Sequence, residues 1–160
     1  MEKKDLLAAI VAQLKADHDT YFEGAKAAHE AAMNDENIPD NKYETLSLEA
    51  SYLAQGQANR AEEIRATLKI FENLPLVKFG EDSPVALGAW VQLESEQDEE
   101  MWIFIAPRAG GLTLEACGVT TTLVSPGSPI GGALVGKLLG DSIELMTRKE
   151  MLEWEIMQVL

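Results

Sequence analysis

The chain has 160 residues, of which 46% are hydrophobic and 25% charged, a size and composition that fit one medium globular domain or two small ones. Its formal net charge of −14 at pH 7 argues against direct binding of DNA or RNA, because phosphate binding needs clustered Lys and Arg, and favours basic protein surfaces or metal ions as partners. No apolar run approaches the roughly 20 residues that span a bilayer, and the first residues turn polar too early for a signal peptide, so we expect a cytoplasmic protein that binds no membrane.

The first half of the chain predicts two long helices. Apolar and small residues recur at alternating spacings of three and four from residue 7 to about residue 32, and again from about residue 42 to residue 74. This is the pattern of a coiled-coil seam, and neither segment contains an internal proline. At about 1.5 Å per residue, arms of about 32 residues would be on the order of 45 to 50 Å long.

The two seams are symmetric about one position, as an antiparallel hairpin requires. Residues at the same height on antiparallel helices have numbers that add to a constant, since both helices rise by the same distance per residue. Here the constant is 78, and its centre is Pro39, where a helix cannot continue. The pairs are Leu7 with Phe71, Ile10 with Leu68, Leu14 with Ile64, Tyr21 with Gln57, Ala25 with Leu53, Ala28 with Ala50 and Ala32 with Leu46.

The turn between the helices is acidic. Residues 34–44 read NDENIPDNKYE, with four carboxylates and one lysine. Asp40 or Asn41 can cap the second helix, with Glu44 as the partner of Asn41 in a capping box. From the residues alone two interpretations stand: ordinary turn and capping acids, or a tip that carries negative charge to a particular place.

The second half changes to the short runs of a β domain. Pro75, Gly80 and Pro84 break the helical pattern. The runs that follow are typical of strands, with turn-rich pieces between them and one short piece, GGALVGKLL, that can form a helix. The strand candidates are VALGAWVQL, MWIFIAP, LTLEACGVTTTLV, DSIELM and EWEIMQVL. The predicted domains are residues 1–76, a hairpin with its acidic tip near 34–44, and residues 77–160.

Two features of the second half have structural interpretations. Cys117 lies in an apolar and threonine-rich neighbourhood, so we expect a small buried side chain rather than a reactive thiol. GGALVGKL nearly matches a phosphate-binding loop, but Leu138 stands where a hydroxyl would be needed and no parallel strand–helix–strand pattern surrounds it. We expect a short helix there, packed against the sheet, with Gly140 and Asp141 turning into the next strand.

The hairpin followed by SPGSPIGGALVGKLLGDSIEL resembles the bacterial transcript cleavage factors of the GreA/GreB family. In that family the second domain carries Ser-Pro and then Ala-Leu-x-Gly-Lys-x-x-Gly-Asp. VALGAWVQLE and EWEIMQVL similarly resemble the first and last strands of that domain. This chain supplies the motif with Ser128, Pro129, Ala133, Leu134, Gly136, Lys137, Gly140 and Asp141.

The resemblance implies an α+β protein: an N-terminal antiparallel α-helical coiled-coil hairpin followed by a small FKBP-like antiparallel β domain with a short helix. It also implies that the β domain docks on the rim of the RNA polymerase secondary channel, through Ser128, Pro129, Lys137 and Asp141. The hairpin then enters the channel. The protein would contact nascent RNA only within the polymerase complex and would not bind DNA directly.

The same resemblance makes Glu36 and Asp40 the candidate catalytic and metal-binding residues. Two-metal hydrolysis of RNA needs a second divalent ion, and carboxylates could help to hold Mg²⁺ shared with the polymerase active centre, with none bound tightly by the free protein. Such a factor is not an enzyme alone but activates the nuclease activity of the polymerase. Family cleavage factors show Asp-Leu-x-Glu-Asn at the turn; alignment of Glu-Asn on Asp40-Asn41 puts Asn37 in place of the first acid, with Glu36 one residue earlier.

The altered tip keeps a second hypothesis open, a regulator or inhibitor that occupies the channel and cleaves nothing. Binding without release of short RNA would identify it. A third hypothesis, a peptidyl-prolyl isomerase, depends only on the expected fold of the second domain, and a peptide isomerisation assay would test it.

Overall fold

The two predicted helices are confirmed. The computed structural model describes the backbone of residues 1–35 and 41–160 and the side chains of residues 1–33 and 45–160. Helix α1 spans Lys3–Asp35 and helix α2 spans Asn41–Glu72. Within the described part of the chain, no helix is apolar over a length that could cross a bilayer.

Contacts divide the chain into two compact units. One unit combines Met1–Ile10 with Ile70–Leu160, and the other is Val11–Lys69. The ends of both helices therefore belong to the same unit as the β domain, whereas the sequence placed the boundary after residue 76. Leu6 and Phe71, from the two helix ends, are buried.

Within the unit of residues 11–69 the two helices run antiparallel. The Ser47 hydroxyl donates a hydrogen bond to the Ala32 carbonyl at 3.0 Å, and the Arg60 guanidinium lies 5.9 Å from the ring centroid of Tyr21. A later residue of α2 thus meets an earlier residue of α1, as the symmetry predicted. Five of the paired seam residues in this unit are buried: Leu14, Ala28, Ala32, Ile64 and Leu68.

For two other residues, the prediction that they lie in the seam is wrong. Leu46 and Leu53 are 51% and 55% exposed, and the next residues along α2, Ser47 and Ala54, are the half-buried ones. The hydrogen bond of Ser47 holds α2 in this rotation. Small side chains also allow a close approach of the helices, since a Cβ added at Gly24 would lie 2.1 Å from a side-chain oxygen of α2.

The β domain is one six-stranded sheet with a single short helix. The strands are β1 (Trp90–Ser95), β2 (Glu100–Ile105), β3 (Thr113–Ala116), β4 (Val119–Val124), β5 (Ser142–Met146) and β6 (Met151–Val159), and α3 spans Pro129–Leu134. Their order across the sheet is β3-β4-β2-β1-β6-β5.

The sheet is antiparallel in four of its strand pairs, as expected, and parallel in one. β2 and β4 pair in parallel, with Trp102 opposite Thr121, whereas the other four pairs are antiparallel. After β2 the chain crosses to the edge of the sheet, forms β3 there, and returns as β4 between β3 and β2. That return gives β4 the direction of β2.

Both faces of the sheet are buried over part of their area. Val91 and Leu93 of β1 face a core that includes Leu134 of α3. Because side chains alternate along a strand, Trp90 points to the opposite face, where it and its cross-strand partner Phe104 are fully buried. The sheet is thus the centre of the unit, with apolar layers on both sides.

Cys117 is exposed, so the expectation of a buried thiol was wrong. LEACGVTTTLV is not one strand but the hairpin of β3 and β4. Its two-residue turn consists of Cys117 and Gly118, with φ angles of 53° and 80°. Positive φ at both positions is the geometry of the tight hairpin turn.

Lys3 fastens the start of α1 within its unit. Its Nζ donates hydrogen bonds to the carbonyls of Val77, at 2.5 Å, and Gly88, at 2.9 Å, and lies 4.6 Å from the ring centroid of Phe79. Burial lowers the pKa of Lys3 from its ordinary value of 10.5 to about 8.

We expect stability to rise with pH between about 8 and 10.5, and Lys3→Met to remove this rise. In that range the unfolded chain keeps Lys3 protonated while the folded chain releases the proton, so the free energy of unfolding increases with pH. Chemical unfolding at a series of pH values measures it. Lys4→Met is the control, since Lys4 is exposed beside Glu2. Equal slopes for Lys3→Met and the unsubstituted protein would contradict the assignment.

Candidate functional site

Helix α3 starts with the first two residues of the motif that resembles the GreA/GreB family, Ser128 and Pro129. Ser128 is the N-cap, with φ −71° and ψ 161°, and its hydroxyl accepts a hydrogen bond from the Gly131 amide at 3.0 Å. The same hydroxyl donates to the Ser125 carbonyl at 2.8 Å. Pro129 occupies the first helical turn, where its missing N–H costs nothing. Ser128 and Pro129 therefore build the helix, whatever else they contact.

Asp141 closes the turn that follows α3. Its carboxylate accepts a hydrogen bond from the Leu138 amide at 2.8 Å, and its carbonyl accepts from the Ile156 amide of β6 at 2.9 Å. Gly140, with φ 84°, supplies the left-handed conformation that the turn requires. The expected turn into β5 is confirmed, and the Asp141 side chain is committed to it.

Lys137 differs from Ser128 and Asp141, because its side chain is exposed while its backbone bonds within the domain. Its carbonyl accepts from the Val85 amide at 2.8 Å, and its amide donates to Leu134 at 3.0 Å. Of the four residues predicted to bind a partner, Pro129 and Lys137 are exposed, and Lys137 is the one of these two that carries a charge.

Exposed apolar residues lie next to Lys137 in the chain, and sequence analysis missed them. GGALVGKLL was predicted to be helical and packed against the sheet, but α3 ends at Leu134, so the following residues leave the core. The loop that carries Leu87 joins them, since Val85 bonds to the backbone of this segment. We call this surface the α3 patch: Leu87, Val135, Lys137, Leu138 and Leu139, with 39–44% exposure for its apolar members.

The near match to a phosphate loop has a structural role. The Gly131 amide bonds to Ser128, so it is not free to cradle a phosphate. The strand after α3, β5, pairs antiparallel with β6. The expected short helix is therefore confirmed, but only over Pro129–Leu134.

The tip residues Glu36 and Asp40 lie outside the described residues. Over residues 1–33 and 45–160, no three His, Cys, Asp or Glu side chains come together in a way that could hold a metal ion. Metal binding by Glu36 and Asp40 thus stays a prediction.

The exposed part of the sheet is acidic. Glu94 of β1 stands opposite Glu100 of β2 and Glu155 of β6, and Glu153 joins the lining of a groove of about 280 Å³. Residues 96–99 connect β1 and β2 and are exposed. Such a surface repels nucleic acid phosphates.

A known family accounts for the β domain. The family described as transcription elongation factor, GreA/GreB, C-term, matches residues 81–160. The chain belongs to the GreA/GreB family. The match covers the sheet, the motif of α3 and the acidic groove, and confirms the resemblance that the sequence suggested. A comparison with curated proteins found no match for this GreA/GreB family member.

Solved structures of the family resemble the chain. GreA factor homolog 1 (Gfh1) of Thermus thermophilus is 20% identical, with 94% of each chain covered and a TM-score of 0.39. Gfh1 of Thermus aquaticus is 25% identical, with 92% of this chain and 89% of that chain covered and a TM-score of 0.42. GreA/GreB from Nitrosomonas europaea is 22% identical, covering 68% and 88%, with a TM-score of 0.38.

Proposed function

We propose that this GreA/GreB family member binds RNA polymerase through the secondary channel and stimulates cleavage of backtracked RNA. The family match over residues 81–160 carries the proposal. Within that domain the α3 patch offers a docking surface, with one cation among four exposed apolar residues. Apolar residues of this kind contribute affinity when a partner covers them, and the lysine adds orientation.

In this proposal the hairpin delivers the carboxylates of Glu36 and Asp40 to the polymerase active centre. Mg²⁺ shared with that centre would supply Lewis-acid chemistry and an activated water. Carboxylate oxygens suit Mg²⁺, but two side chains leave most of its six positions to other ligands, so the free factor would hold the ion weakly. The two carboxylates would thus position the ion only inside the complex, and the factor is not a nuclease by itself.

Transcript release from backtracked polymerase tests the proposal. We expect the unsubstituted protein to release short RNA, and Glu36→Ala or Asp40→Ala to slow release by about 100-fold, because each removes a ligand on which the reaction depends. Glu30→Ala and Glu49→Ala, exposed acids outside the tip, are matched controls and should cleave normally. If the unsubstituted protein releases no short RNA, the cleavage proposal fails.

Binding is measured in parallel, so that docking and chemistry are separated. Tip variants should bind polymerase as the unsubstituted protein does, whereas Lys137→Glu should weaken both binding and cleavage. Lys149→Glu, an exposed lysine in the turn between β5 and β6, is the charge-matched control. Equal binding by Lys137→Glu and Lys149→Glu would remove the α3 patch from the docking surface.

A second candidate function is a channel-binding regulator that does not cleave. The observation that favours it is Asn37, which stands where the family has its first acid. This function predicts that the unsubstituted protein binds polymerase and inhibits elongation or competes with cleavage factors, with no release of short RNA.

A further inference from the structure

Lysines from the start of α1 and from the segment before β1 surround one groove. The groove has a volume of about 500 Å³ and lies within the unit of residues 1–10 and 70–160. Its lining includes Lys3, Lys4, Lys78 and Phe79, and we call it the Lys3 groove. A groove of this volume has room for a small organic ligand.

The Lys3 groove concentrates positive charge in a chain whose net charge is −14. Among the described side chains that line it, three are lysines and one, Glu2, is acidic. The Lys4 ammonium lies 2.7 Å from the Glu2 carboxylate, so that pair is neutral. Lys78 is exposed and, over residues 1–33 and 45–160, forms no ion pair. An anion that enters the groove therefore meets Lys78 as an available cation.

The amine of Lys3 is held so that it can react as a nucleophile. Both of its hydrogen bonds go to neutral backbone carbonyls, those of Val77 and Gly88, and it forms no ion pair with a described carboxylate. A neutral amine has two N–H groups and one lone pair, so both bonds persist when the ammonium loses a proton. Because burial lowers the pKa of Lys3 to about 8, a larger share of this amine is neutral at physiological pH than of an exposed lysine.

We propose that Lys3 is a site of acylation by a small acyl phosphate, whose phosphate group lies beside Lys78 in the Lys3 groove. Lys78 directly follows Val77, whose carbonyl holds the Lys3 amine. The Lys3 nitrogen forms a C–N bond with the acyl carbon, the C–O bond to phosphate breaks, and inorganic phosphate leaves with that electron pair. One amine proton passes to water, and no atom is oxidised or reduced. The inference does not depend on the proposed function, since the reaction involves no polymerase.

Acylation removes the charge of Lys3 and one of its N–H groups. The amide product has a single N–H, so it can keep only one of the two carbonyl bonds. The cation that lies 4.6 Å from the ring centroid of Phe79 is also lost. We therefore expect the acylated protein to unfold at a lower denaturant concentration and to lose the rise of stability between about pH 8 and 10.5.

Reaction of the full chain with acetyl phosphate at about pH 7.5 tests the assignment, with mass spectrometry to locate the acetyl groups. We expect Lys3 to be acetylated about tenfold or more faster than the exposed Lys137 and Lys149, because more of its amine is neutral. Fragment spectra separate Lys3 from Lys4 and from the amino group of Met1. Acetylation of Lys3 no faster than that of Lys137 and Lys149 would overturn the inference.

A second comparison tests the position of the phosphate group. It uses p-nitrophenyl acetate, an acyl donor without charge, so that a change in the amine itself affects both donors equally. We expect Lys78→Ala to lower the ratio of the acetyl phosphate rate to the p-nitrophenyl acetate rate at Lys3 about threefold, the effect of one exposed charge. Lys149→Ala, which removes an exposed lysine outside the groove, should leave the ratio unchanged. An equal ratio for both variants would overturn the assignment of the phosphate to the Lys3 groove.

Discussion

Gly131→Ala is expected to lower the free energy of unfolding of the β domain by about 3 kcal/mol or more. Gly131 is buried in α3, and a Cβ added there would lie 1.9 Å from the Ser125 carbonyl oxygen and 2.9 Å from the Ser128 hydroxyl. The first of these atoms is backbone and cannot swing aside. The substitution must therefore displace the helix from the loop that its N-cap holds.

Gly132→Ala is the matched control in the same helix. A Cβ there would meet its nearest atom, the Pro126 carbonyl oxygen, at an ordinary 3.7 Å. The substitution should be neutral or stabilising by up to about 1 kcal/mol, because alanine loses less backbone entropy in a helix than glycine. Chemical unfolding followed by tryptophan fluorescence reports on the domain that contains Trp90. A similar loss of unfolding free energy for Gly131→Ala and Gly132→Ala would show that the contact with the Ser125 carbonyl does not prevent a side chain at Gly131.

The hairpin shows what the period of a sequence can predict. The sum of 78 correctly predicted an antiparallel pair of helices, because helical rise is the same for every residue. It could not fix the rotation of α2 in the outer half. There the choice between Leu46 and Ser47 depends on a hydrogen bond to Ala32 across the helices, and no local pattern encodes that contact.

The sheet was predictable in its strands but less so in its connections. Alternation and β-branched content located five runs, and one of them, LTLEACGVTTTLV, contained two strands. Cys-Gly in the middle of that run was the available turn signal, since glycine supplies one positive φ and the neighbour must supply the other. The parallel pairing of β2 with β4 follows from a crossover that strand patterns do not reveal.

The motif around α3 shows how a family resemblance can assign a binding role to residues whose side chains build the fold. Ser128 and Asp141 match the family, and both side chains are used for caps and turns inside the domain. A residue that specifies the fold recurs in a family as regularly as one that binds a partner. Exposure separates the two kinds of residue: Ser128 and Asp141 are half-buried, whereas Pro129, Lys137 and the apolar neighbours of Lys137 are exposed and available for docking.

Trp90→Phe is expected to lower the free energy of unfolding by about 2 to 4 kcal/mol, and Trp154→Phe by about 1 kcal/mol. Trp90 is fully buried, its Nε1 donates a hydrogen bond to the Thr121 hydroxyl at 3.1 Å, and its ring centroid lies 5.1 Å from that of Trp102. Within the described residues the buried Nε1 of Trp154 has no hydrogen-bond partner. Both substitutions remove a similar volume, but only Trp90→Phe leaves a buried hydrogen-bond partner unsatisfied.

The group left without its hydrogen bond is the Thr121 hydroxyl, which is fully buried on β4. The double variant Trp90→Phe/Thr121→Val removes both partners, so it should recover much of the loss, as replacing a whole hydrogen-bonded pair by apolar groups can be nearly neutral. Denaturant unfolding of the single and double variants gives the coupling energy. Equal costs for Trp90→Phe and Trp154→Phe would mean that the bond between β1 and β4 adds no net stability. A positive coupling would instead show that the bond stabilises the folded sheet.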